Sequence, residues 1–158
     1  MEWRPAADGE RICSRFPLDE WHKIADDIHS EQEWQQFVSR YDFVHVYICS
    51  IKSTRQPFGF VYLFEEEPPK RIVSFHGGSW SSLHSLTYAR ALILLVERLL
   101  SLGIKVRTSC FNDNPNPLRF LRGLGFVPYL RGARCTYLWI NAKRLHDSKP
   151  YKRLNLPN

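Results

Sequence analysis

The chain has 158 residues, with 22 Lys and Arg against 16 Asp and Glu and a formal charge of +6. Apolar residues make up 44% and aromatic residues 14%, which excludes disorder, because such a chain buries enough large side chains to offset the entropy of ordering. The length predicts one domain, residues 1–142, followed by a basic tail, residues 143–158. The richest apolar run, residues 91–96, is closed at once by Glu97 and Arg98, far short of the roughly 20 residues a bilayer needs. Residues 1–5 lack the apolar core of a signal peptide. No membrane partner and a cytoplasmic setting are therefore expected.

Cys13, Cys49, Cys110 and Cys135 are scattered, with no CxxC or HxxxH spacing. They read as buried thiols, and no metal is expected. The basic residues are spread out except at Lys143, Arg144, Lys149, Lys152 and Arg153. That pattern reads as a solvated surface with a basic tail, so nucleic acid is not an expected partner.

In chain order, residues 11–16 predict an opening strand and residues 18–28 a helix, since Leu18, Trp21, Ile24 and Ile28 recur at helical spacing. Ser30 and Glu33 form a capping box for a second helix carrying Trp34, Phe37 and Val38. Strands follow over residues 43–51, 58–65 and 71–76. The second of these is apolar on both faces, as an inner strand requires. Residues 77–82 form a Gly- and Ser-rich loop before the strongest helix in the chain, which ends at Gly103. A strand over 104–110 comes next, so the strand–helix–strand order predicts a parallel pair with a right-handed crossover. A short helix opening at 112–115 is stopped by Gly125, and a hairpin over 126–130 and 134–140 closes the domain. The tail after Lys143 is expected to be either poorly ordered or used in packing.

The segment Asn114-Pro-Asn-Pro-Leu-Arg-Phe-Leu-Arg-Gly-Leu-Gly-Phe126, together with the long helix running into the 104–110 strand, resembles the GNAT-type N-acetyltransferase superfamily. The resemblance covers residues 43–140. It implies an α/β (α+β) fold: a single domain whose mixed, largely antiparallel sheet has helices on both faces and a splayed parallel strand pair. It also implies acetyl transfer from acetyl-CoA, as cosubstrate, to a small-molecule or peptide amine by direct attack. The family's Gln/Arg-x-x-Gly-x-Gly/Ala pyrophosphate turn has its nearest match in His84-Ser85-Leu86-Thr87-Tyr88-Ala89, where His and Thr replace the basic residue and the first glycine.

A helix N-terminus exposes unpaired N–H groups that suit phosphate, so Gly77, Gly78, Ser79, Ser82, His84, Ser85 and Thr87 are candidate cofactor-binding residues. A Ser-rich capping loop without a ligand is the other reading of that stretch. His76, at a strand end before two glycines, is a candidate general base, since an unperturbed imidazole titrates near 6.5; a hydrogen-bonded strand-end histidine is its alternative. Asn114 either holds the pantetheine arm or caps its own helix. The family's proton-donating tyrosine falls on Leu121 here, so Tyr129 is carried as the candidate general acid, with Ser109 and Cys110 behind it. A non-catalytic module of the same fold, binding a protein or another ligand, remains the rival reading, and the final hairpin offers an edge for a homodimer.

Overall fold

The computed structural model describes residues 2–5, 32, 44–50, 53, 57–66, 71–79 and 85–154. The expected strand at 11–16 and the helix at 18–28 lie outside them, as does the helix at 30–38 apart from helical Gln32. The chain divides into two compact units, Met1–Phe64 with His76–Tyr88, and Glu65–Phe75 with Ala89–Asn158.

In the first unit, β1 (Glu2–Pro5) pairs antiparallel with β2 (Val44–Ser50), and β2 pairs antiparallel with β3 (Pro57–Glu66). The latter ladder shifts register between Cys49 and Ser50. β3 is an inner strand, lying between β2 and β4 (Ile72–Ser79). Consecutive residues Phe60 and Val61 are both buried, as is Leu63, which is what burial on two faces demands. β1 was not foreseen. Four residues, one of them proline, carry too short a pattern to register as a strand.

β4 runs three residues beyond the expected end at His76, so Gly77, Gly78 and Ser79 are strand rather than loop. Close approach explains Gly77. A Cβ there would lie 2.6 Å from the Tyr88 hydroxyl, 2.9 Å from Val61 Cα and nearer still to the Phe60 carbonyl.

The second unit holds the parallel pair. The first half of β4 lies beside β5 (Lys105–Phe111), followed by β7 (Cys135–Ile140) and then β6 (Val127–Arg131). β4 and β5 run parallel, whereas β5–β7 and β6–β7 are antiparallel. The sheet is therefore mixed and largely antiparallel. β4 is joined to β5 by α1 (Ser85–Ser101). Along β5, Val106, Thr108 and Cys110 are buried while Lys105 is exposed and the residues between are half-buried, a period-2 pattern. The core collects Ile93, Val96, Val106, Leu124, Phe126, Leu138, Ile140 and Leu145, each at most 2% exposed. Burying each such side chain stabilises by about 1.5–3 kcal/mol.

Both helices that flank β5 end the same way. After α1, Ile104 N–H donates to Leu99 O (3.1 Å) and Gly103 N–H to Leu100 O (3.0 Å). After α2 (Pro115–Gly123), Phe126 N–H donates to Leu121 O (3.1 Å) and Gly125 N–H to Arg122 O (3.0 Å). This paired 6→1 and 5→2 bonding is the Schellman reversal. Gly125 has φ +100 and its Cα faces the Arg144 carbonyl, 2.5 Å from where a Cβ would sit. It accounts for the Leu-Gly-Phe ending: Leu124 and Phe126 go inward, and the Phe126 ring meets Phe75 edge-on at 5.7 Å.

The tail packs. Asn141 Oδ1 accepts from Arg144 N–H to cap α3 (Ala142–Asp147), and Ser148 Oγ accepts from Tyr151 N–H to cap α4 (Lys149–Lys152). Leu145 is fully buried. Tyr151 OH donates to Glu97 Oε1 on α1, and His146 Nε2 lies 3.2 Å from the same oxygen. The basic residues thus crown a docked helical pair. No helix among the described residues is long and apolar enough to cross a membrane.

Gly125→Ala meets both strain and a carbonyl and is expected to cost about 2–4 kcal/mol in chemical denaturation. Gly123→Ala, with open space around it inside α2, should instead stabilise by up to about 1 kcal/mol. The Tyr151 phenol is pushed up to about 12, first by its hydrogen bond to Glu97, then by burial and the Glu97 charge. A raised folded-state pKa stabilises fully below the unfolded value near 10 and is lost as pH rises through the folded value. The melting temperature should therefore fall between about pH 10 and 12, and Tyr151→Phe should remove that contribution.

Candidate functional site

Three consecutive pairs, Ile72↔Lys105, Val73↔Val106 and Ser74↔Arg107, make up the β4–β5 ladder. Both strands continue beyond it, β4 to Ser79 and β5 to Phe111. Lys105 N–H donates to Arg71 O at 2.8 Å, so the alternation of a strand points the N–H groups of Arg107, Ser109 and Phe111 to that same side. On the other side β5 stays fully paired with β7, from Thr108↔Leu138 to Phe111↔Cys135. In a continued ladder Ser109 N–H would donate to Phe75 O. Instead the buried Thr108 hydroxyl donates to that carbonyl at 2.8 Å. Among the described residues no β4–β5 pair follows Ser74↔Arg107.

The first unit holds the other half of the foreseen constellation. His76 is half-buried at the β4 position that follows Phe75. Beside Gly77, Tyr88 OH donates to Phe60 O at 2.9 Å, and its ring meets Trp3 edge-on at 6.1 Å. Tyr88 is 8% exposed. That bond ties the first turn of α1 to β3. Ser85 opens α1, Leu86 is 79% exposed and Thr87 is half-buried. Gly78 and Ser79 belong to β4, while Ser82 and His84 lie outside the described residues. His76, Gly77, Gly78, Ser79, Ser85 and Thr87 thus share the first unit, and Asn114 and Tyr129 belong to the second.

Asn114 caps α2, its Oδ1 accepting from Asn116 N–H at 3.4 Å, with Pro115 at the first helical position. Tyr129 sits at a register shift in β6, 46% exposed, beneath the Arg107 guanidinium (5.1 Å to the ring centroid) and 6.4 Å from the Tyr137 ring. Ser109 is half-buried. Cys110 is buried, neither it nor Cys135 forms a disulfide, and burial first, then the neighbouring Cys135, pushes its thiol up. A thiol so held is a poor proton donor at neutral pH. No group of three metal-ligating side chains occurs among the described residues.

Thr108 and Tyr88 are the side chains that sequence reasoning missed. Thr108 carried a signal, being polar at an inward position between Val106 and Cys110. Tyr88 was hidden within an apolar helix stripe.

No family model matches the sequence, and no curated protein does. Solved structures do. A single-residue variant of the spermidine N-acetyltransferase SpeG of Vibrio cholerae superposes with a TM-score of 0.70 at 13% identity, over 93% of this chain and 98% of that one. SpeG in complex with CoA and spermine gives 0.66 at 15% identity, over 92% and 98%. The Campylobacter jejuni N-acetyltransferase PseH in complex with acetyl coenzyme A gives 0.61 at 11%, over 89% and 98%. The chain has the GNAT fold.

Thr108→Val deletes the donor while keeping the shape and leaves the Phe75 carbonyl unsatisfied. It is expected to cost about 1–3 kcal/mol in urea denaturation, whereas Thr108→Ser, which keeps the hydroxyl, should lose less than half of that.

Proposed function

We propose that this protein is an N-acyltransferase that moves an acetyl group from acetyl-CoA to a primary amine in one direct step. The observation that carries the reading is the arrest of the β4–β5 ladder after three pairs. On this reading the N–H groups of Ser109 and Phe111, which point to that side of β5, pair with an amide-bearing pantetheine arm in the manner of an added strand. The CoA and acetyl coenzyme A complexes of structural neighbours with this fold support it.

On this reading the N–H groups of the first turn of α1, from Ser85 to Thr87, meet the pyrophosphate, helped by the positive end of the helix dipole. Gly77, Gly78, Ser79, Ser82 and His84 supply the approach, and Thr87 stands where the family has glycine. Asn114 bonds the arm while capping α2. His76 removes the proton from the ammonium, directly or through water, because the free amine alone is nucleophilic. The amine nitrogen then forms a C–N bond to the thioester carbonyl as the C–S bond breaks, sheds its second proton to solvent, and the departing thiolate takes a proton from Tyr129 or from solvent. Holding both reactants together provides much of the acceleration. The acceptor is a small-molecule or peptide amine; the polyamine complex of a neighbour fits that class.

Calorimetry with acetyl-CoA tests binding, and amine-dependent release of CoA tests turnover. His76→Gln is expected to lower kcat about 100-fold with the KM for acetyl-CoA little changed, and Tyr129→Phe to lower it less. Unchanged turnover in His76→Gln would remove the base. No heat at millimolar acetyl-CoA would remove the enzyme reading and favour a non-catalytic module.

A further inference from the structure

Lys105, Arg107, Ser109 and Phe111 alternate along β5 with the buried Val106, Thr108 and Cys110, so the four share the face of the strand turned away from the core. Residues opposite one another in a ladder stand on the same face. Arg107 is opposite Trp139 and Ser109 opposite Tyr137, while Val127 and Leu130 of β6 are opposite the same two residues. The outer face of this three-stranded sheet therefore carries Tyr137 and the half-buried Trp139, two residues apart on β7, with Thr136, Leu138 and Ile140 buried behind them. The face is open. Tyr137 is 38% exposed, Leu130 56%, and the Tyr129 ring lies 6.4 Å from that of Tyr137. β5, β6 and β7 contain no Asp or Glu, nor does any residue from 114 to 146. Cations scattered along the sequence are gathered here by folding. The Arg144 guanidinium lies 5.7 Å from the Trp139 ring centroid, and the exposed Lys105 shares the face. Arg107, already engaged over the Tyr129 ring at 5.1 Å, adds charge and is not counted as a contact.

We infer that the outer face of β5, β7 and β6 binds single-stranded nucleic acid, its bases stacked on Tyr137 and Trp139 and its phosphates held by Lys105 and Arg144. Exposed rings on a sheet face, set among cations, suit such a strand: every base has a face to stack, and the backbone is a polyanion. An acidic peptide would satisfy the charge and leave the rings unused. A duplex keeps its bases stacked on one another and offers them to no ring. Tyr137 and Lys105 lie outside the acyl-transfer machinery proposed above, so this inference stands or falls independently of it.

The probe is a fluorescein-labelled uridine oligomer of about a dozen residues, titrated with the full chain and followed by anisotropy. Saturable, salt-sensitive binding is expected, with a duplex of the same length and poly-glutamate each at least about tenfold weaker. Tyr137→Ala should weaken the oligomer about tenfold, whereas Tyr137→Phe, which keeps the ring, should stay within about twofold of the unaltered chain. Lys105→Gln should flatten the slope of log affinity against log salt by about 0.7, the loss of one phosphate contact. Circular dichroism checks the fold of each variant. No saturable binding at about 50 mM salt, equal affinity for the duplex or for poly-glutamate, equal affinity of Tyr137→Ala and Tyr137→Phe, or an unchanged slope in Lys105→Gln would each overturn the inference.

Discussion

One hydroxyl satisfies the carbonyl beyond the last pair of the β4–β5 ladder. Thr108 Oγ1 takes the Phe75 carbonyl, the group that the next rung of a parallel ladder would need. A parallel sheet ordinarily satisfies its own backbone and is buried. Here the ladder stops after Ser74↔Arg107, and the buried carbonyl is nonetheless satisfied. The N–H groups of Ser109 and Phe111 point to the same side of β5 as that of Lys105. Everything proposed about the chemistry rests on that arrangement, since an acyl-thioester arm with amides of its own needs such an edge.

The rest of the second unit holds β5 in place for this. Its other side is paired with β7 as far as Phe111. Matching reversals end α1 and α2, the second locked by Gly125 against the Arg144 carbonyl. The α3–α4 pair is clamped to α1 through Glu97, Tyr151 and His146. In the first unit the same economy appears at Gly77, whose missing side chain lets Tyr88 OH reach the Phe60 carbonyl.

Much of this was legible in the sequence for identifiable reasons. Asn114 followed by Pro115, and glycines at 103 and 125, are local signals whose chemistry acts over a few residues, so the helix ends were readable. The inner character of β3 was readable from an unbroken apolar run. The parallel pair followed from a strand, a long helix and a strand joined by short links. What escaped reading depends on distant partners. Gly77 and Gly78 look like loop residues until Phe60 and Tyr88 are brought beside them. The basic tail looks solvated until Leu145 is seen fully buried and Tyr151 on Glu97. Thr108 differs from any other strand threonine only by the carbonyl 33 positions earlier that it meets. The foreseen site residues divide similarly: Asn114 announces itself by its cap, whereas Tyr129 is placed by a register shift and a cation stack that no local pattern encodes.

Amide hydrogen exchange along β5, resolved residue by residue, tests the open edge most directly. The amides of Thr108 and Cys110 face β7 and should exchange slowly, while those of Ser109 and Phe111 should exchange quickly in the protein alone and slow at least about tenfold when acetyl-CoA is added. Equal protection of all four amides without ligand would mean that the ladder continues past Ser74, and would contradict the account.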